Sequence, residues 1–202
     1  MRRLLLTTTA ALALSAGQAL AAPPTCGLGV LTDYLAGGAY ATCTLLAEAG
    51  TTHRLTFSNF SYSWGGSGGE PPASILVQPK AGNSGANPNM AGFEFYLLPL
   101  TRGMSGVAHI RFTVTAESPV YSMTGATLQL FGGVEGDATY SDTETLTGPS
   151  LQMSGVILAN NAIQTGSVIY AKPSSVERVS HSLALTAGGG YEGLMAIESL
   201  FR

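Results

Sequence analysis

Apolar and polar residues alternate along much of the chain with period two, the spacing of a strand that buries one face. The clearest case is "GVAHIRFTVTAE". Ala108, Ile110, Phe112, Val114 and Ala116 share one face, and His109, Arg111, Thr113, Thr115 and Glu117 share the other. "GFEFYLLPL" (92–100) is apolar on both faces, which predicts a central strand stopped near Pro99. "ATLQLFGG" reads as a short strand closed by Gly132 and Gly133, and "LQMSGVILA", "SVIYAKP" and "VERVSHSLALTA" as further strands with Gly, Asn, Pro or Ser at their limits. "DATYSDTETLT" (137–147) is polar on both faces, and its acids predict an exposed edge protected from pairing with another chain. "YEGLMAIESLFR" fits a helix as well as a strand; alternation through Met195, Ile197, Ser199 and Phe201 favours a strand. One short helix is expected around Leu31–Leu35, and residues 79–92, "PKAGNSGANPNMAG", read as a loop.

"LTFSNFSYSWGGSGG" (55–69) breaks the alternation once. Leu55 and Phe57 lie on one face, but Phe60, Tyr62 and Trp64 keep that face only if the register slips by one residue. A β-bulge near Ser58 and Asn59 would accomplish this and send five large side chains into one core. The competing reading is an exposed aromatic strip for sugar stacking, with Tyr62, Trp64 and Tyr96 as its candidate rings. Gly65–Gly69 satisfies G-x-S-x-G in form, yet Glu70-Pro71-Pro72 follows where a nucleophile elbow needs a helix. Ser67 therefore reads as part of a flexible glycine loop.

About eight to ten strands in one domain are expected, without repeat or linker. Each half-apolar sheet must bury its face, so the economical fold is all-β, a two-sheet antiparallel β-sandwich; a closed β-barrel is the alternative. The first residues supply Arg2 and Arg3, an apolar run from Leu4 and the small-x-small triplet Ala19-Leu20-Ala21. They read as a cleaved signal peptide over 1–22, leaving 23–202 as the domain. The chain is mildly acidic, formally −3, and loses two cations with the leader. Its few dispersed cations offer no footprint for nucleic acid. No later run approaches the ~20 apolar residues of a spanning helix. Cys26 and Cys43, the two cysteines, read in an exported chain as a disulfide.

No constellation of acid, base and nucleophile emerges, no metal-ligand spacing surrounds the three histidines, and no cofactor is implied. His109 and His181 are expected on polar strand faces. Glu135, Asp137, Asp142 and Glu144 are a calcium candidate in an acidic stretch whose spacing matches no calcium loop. Asp142 and Glu144 share a strand face, but an exposed edge would not give two carboxyls the contrasting pKa values glycoside hydrolysis needs.

The words "FSNFSYS", "PPASILVQP", "GFEFYLLPL" and "HIRFTVTA", with a terminal "IESLF", resemble the ectodomains of bacterial PEP-CTERM proteins, exported and sorted by an exosortase. The family's Pro-Glu-Pro signal, apolar helix and basic cluster are not found in this sequence. The resemblance implies a secreted protein, extracellular, at the cell surface or periplasmic, with a non-enzymatic β-domain. Its expected partners are polysaccharide or other matrix components. A carbohydrate-binding module is the alternative, and a secreted hydrolase the second.

Overall fold

The computed structural model describes residues 22–48, 50–69, 71–82, 89–97, 105–117, 120–131, 139–149, 153–160, 164–186 and 195–202. In chain order the elements are β1 (Gly29–Val30), α1 (Leu31–Tyr34), β2 (Thr42–Leu46), β3 (Arg54–Ser67), β4 (Leu76–Lys80), β5 (Ala91–Leu97) and β6 (Ser105–Ala116). They continue with β7 (Met123–Phe131), β8 (Thr139–Thr147), β9 (Met153–Asn160), β10 (Gln164–Ser174), β11 (Val176–Thr186) and β12 (Met195–Phe201).

Two six-stranded sheets result: sheet I in the order β2-β3-β6-β11-β8-β9 and sheet II in the order β1-β4-β5-β12-β7-β10. Every pairing within them is antiparallel. Among the described residues no ladder joins the two sheets, so the expected sandwich forms and the barrel alternative does not. The inner faces meet through rings. Phe57 of sheet I stands edge-on to Phe93 of sheet II at 4.6 Å, and Phe112 to Phe201 at 6.2 Å. Such pairs contribute about 0.5–1.5 kcal/mol each beyond the area they bury. Tyr34 of α1 closes one side of this cluster against Phe60 and Phe93.

The slipped register falls where alternation broke. The β3–β6 ladder jumps between Ser58 and Ser61, and Asn59 takes φ 56°, a left-handed turn that lets Phe60 rejoin Phe57 inside. Asparagine tolerates that backbone because its side chain bonds locally; Asn59 Nδ2 donates to Thr113 Oγ1 at 3.4 Å. Cys26 and Cys43 are bonded, tying the segment ahead of β1 onto β2. Closing that loop contributes about 3 kcal/mol. Residues 1–21, the bulk of the expected leader, lie outside the described residues, and no described helix is long and apolar enough to cross a membrane.

Three expectations need correction. Gly65–Ser67 are not loop but the end of β3, paired with Ser105–Val107. Pro79 and Lys80, expected in a loop, finish β4. Proline is tolerated there because β1 pairs only with Leu76 and Val77, so Pro79 lies on a free edge. Finally, β8 is no exposed edge. It runs between β11 and β9, and Asp142 and Glu144 are fully buried.

Candidate functional site

The outer face of sheet II carries a set of linked polar groups. Alternation turns Phe93, Phe95 and Leu97 of β5 inward and Glu94 and Tyr96 outward. On β12 it turns Ile197 and Phe201 inward, and Glu198 outward. The registers of β4, β5, β12, β7 and β10 then align Gln78, Glu94, Glu198, Gln129 and Thr165 in one row across the sheet. Lys80, one outward position along β4, reaches both acids. Its Nζ is 2.5 Å from Glu94 Oε2 and 3.8 Å from Glu198 Oε2. The Tyr96 hydroxyl donates to Gln78 Oε1 at 3.0 Å.

The electrostatics keep these groups in defined roles. Tyr96 is pushed up to about 12, by burial first and then by Glu94 and the charge of Glu198, so it stays a donor. The Glu198 carboxyl is also raised, by burial first and by Glu94, against the lowering effect of Lys80. A half-buried ring thus flanks fixed carboxylate, amide and ammonium groups. Sugar hydroxyls, each both donor and acceptor, are the natural complement of such a mixture. The signal in the sequence was small: Glu94 and Glu198 are single acids inside largely apolar words, "GFEFYLL" and "MAIESLF".

The three candidate stacking rings separate. Tyr62 and Trp64 are half-buried and pack on the core, as the bulged-strand reading anticipates. The Trp64 indole is covered by main chain. A Cβ added at Gly69 would sit 2.2 Å from its Cδ1, and one at Gly106 2.5 Å from its Cζ2. Only glycine at those positions lets the backbone lie against the ring. Tyr96 alone of the three stands beside the polar row.

A second polar cluster lies inside the sandwich. On β8 Tyr140, Asp142, Glu144 and Leu146 face inward, and Thr139, Ser141, Thr143, Thr145 and Thr147 face outward. On β11 His181 is directly opposite Glu144 and fully buried, correcting its expected polar-face position. Its Nδ1 is 2.8 Å from Asp142 Oδ2, and its ring stacks on Phe112. Ser199 of β12 donates to Glu144 Oε1 at 2.9 Å, linking the sheets. Burial pushes Glu144 up to about 7, against His181 and Ser199, which lower it. Burial alone would lower His181, but the Asp142 charge and hydrogen bond, with Glu144, leave it raised. Serine, histidine and aspartate are all present, yet the serine bonds Glu144 rather than the imidazole. All four side chains are closed to solvent, so no substrate reaches them.

Of the calcium candidates, Glu135 and Asp137 lie outside the described residues, and Asp142 and Glu144 are committed to this network. Among the described residues no group of three acids, histidines or cysteines is placed to hold a metal. Among the described residues, Ser67 Oγ bonds the backbone of Ser105 and has no base beside it.

No protein-family model and no curated protein matches the chain. Among solved structures it is similar to the enzymatically active domain of tailspike protein 4 of bacteriophage CBA120, at 14% identity and TM-score 0.35. That likeness covers 71% of this chain but spans only 19% of the tailspike chain. It is also similar to TmCBM61, solved in complex with β-1,4-galactotriose, at 7% identity and TM-score 0.35, covering 68% of this chain and 87% of that one. A third likeness, to PirA, has 10% identity and TM-score 0.29, covering 52% and 92%.

Proposed function

We propose that this is an exported, non-enzymatic β-sandwich that binds a neutral polysaccharide of the extracellular matrix on the outer face of sheet II. The observation that carries the reading is the row Gln78, Glu94, Glu198, Gln129 and Thr165, with Lys80 and Tyr96 beside it. Such a row offers a glycan hydrogen-bonding groups that are ordered before it arrives, which limits the entropy lost on binding. The leader-like first residues, the disulfide and the resemblance to exosortase-sorted ectodomains support a location outside the cytoplasm. A glycan array with the exported protein, followed by calorimetry on the best neutral ligand, tests this. Tyr96→Ala and Glu198→Gln should each weaken binding about tenfold or more. A blank array, or variants that bind like wild type, would overturn it. New reducing ends in the recovered polysaccharide would overturn the non-enzymatic part.

A further inference from the structure

The outer face of sheet I is chemically the reverse of sheet II. Its strands present rows of hydroxyls: Ser61, Ser180 and Thr145 in line with Arg111, and Ser58, Thr113 and Thr147 in line with Arg178. Arg111 and Arg178 stand diagonally across the β6–β11 pair, which places their backbones about 7–8 Å apart. Between them lies a groove of about 380 Å³, floored by Ser61, Thr113, Thr147 and Ser180 and walled by Asn59. The bulge creates its near side. Because β3 carries one extra residue at Asn59, the ladder beside Arg111 is interrupted, and Asn59 is turned out over Thr113.

Both guanidiniums are exposed, and among the described residues neither forms an ion pair. The acids of the neighbouring strands are turned away: Asp142 and Glu144 of β8 and Glu177 of β11 all face the core. Glu117, beyond the end of β6, bonds Thr56. Arg111 Nε donates to Ser180 Oγ at 3.4 Å, which holds the guanidinium low along the floor. In an acidic chain this is a local cationic groove with no carboxylate among its described lining residues, and small hydroxyl groups along it. A guanidinium offers paired N–H donors that match the two oxygens of a carboxylate or sulfate. The hydroxyl floor matches the remaining hydroxyls of a sugar ring.

We infer that this groove binds an acidic sugar residue of an extracellular polysaccharide, its oxyanion held between Arg111 and Arg178. The inference extends the polysaccharide reading to a second face and uses none of the residues of the first. Affinity electrophoresis and calorimetry on the exported protein test it, with polygalacturonate, dextran sulfate and a neutral galactan as probes. At low salt, at least one acidic polymer should bind. Affinity should fall steeply as salt rises, and Arg111→Gln/Arg178→Gln should weaken binding more than tenfold. Binding of polygalacturonate alone identifies a carboxylate ligand, and of dextran sulfate alone a sulfate ester. The double variant should melt like wild type and keep any neutral-glycan binding, whereas Tyr96→Ala should keep the acidic binding. Failure to bind either polyanion at low salt overturns the inference, as does a double variant that binds unchanged. Loss of acidic binding on Tyr96→Ala would also overturn it, since one face would then serve both ligands. A neutral-glycan failure alone leaves this groove standing and removes only the sheet II reading.

Discussion

Two pairs of acids, one on β8 of sheet I and one across β5 and β12 of sheet II, meet different fates. Asp142 and Glu144 point into the core, where His181 and Ser199 meet them. Glu94 and Glu198 point outward and share Lys80. All four are buried, so burial alone does not separate them. What separates them is the partner. The inner pair is answered by an imidazole and a hydroxyl from strands packed against it, with no route for solvent. The outer pair is answered by one ammonium on the outer side of the sheet. The inner pair is tied into the packing of the two sheets, whereas the outer pair is the one that the proposed function assigns to a ligand.

The largest break in this comparison should come from His181→Leu. It strands Asp142 in an apolar interior with no cation, and the loss should be about 3–5 kcal/mol in denaturant unfolding. The paired change Asp142→Leu/His181→Leu should cost less than the single one; an equal or larger cost would show that the acid has partners elsewhere.

A pH series should come next. Glu144 rises from an ordinary value of 4.5 to about 7, so the folded protein holds that proton more tightly than the unfolded chain. His181 also holds its proton more tightly when folded. The stability they contribute is complete below about pH 4.5 for Glu144 and 6.5 for His181, and is lost as pH rises through their folded values. At about 1.4 kcal/mol per factor of ten in proton affinity, the domain should be about 2–3 kcal/mol more stable at pH 5 than at pH 8. Glu144→Gln keeps an acceptor for Ser199 and should flatten much of that slope; an unchanged slope would place its origin outside the core network.

The smallest effect is expected from the outer pair. Glu198→Gln removes one of two like charges and should leave stability within about 1 kcal/mol of wild type, while neutral-glycan affinity falls. A large loss of stability with intact binding would make the outer pair as structural as the inner one.

The sandwich was legible because its cue is local. Period two in Ala108–Ala116 and the slip at Asn59 can be read from a few residues each, and both place side chains where the ladders put them. The inner network was not legible, because its partners lie far apart: His181 is 39 residues from Asp142, and Ser199 is 55 from Glu144. Taken alone, the acids of β8 read as solvated. A subtler cue was present, since Tyr140 and Leu146 share their face and the opposite face is entirely Ser and Thr. Hydroxyl-bearing, β-branched threonine suits an outer strand face well, which frees the acids to turn in. The outer row was half legible. Tyr96 could be singled out as a ring, but Glu94, Glu198 and Lys80 become neighbours only through register.

The middle of sheet II is completed by β12, which slots between β5 and β7. Until residues 195–201 leave the ribosome, β5 and β7 each have an unpaired edge and half the hydrophobic layer has no centre. Such a topology folds slowly, because its closing contacts join residues far apart in the chain, Phe201 to Ala91 and to Ala126. Under the export proposed above, with the chain threaded through a channel as an extended polypeptide, that delay would be useful: sheet II cannot close before β12 is made. The same delay leaves two adhesive borders open until β12 arrives, where a chaperone would bind and where a truncated product would aggregate.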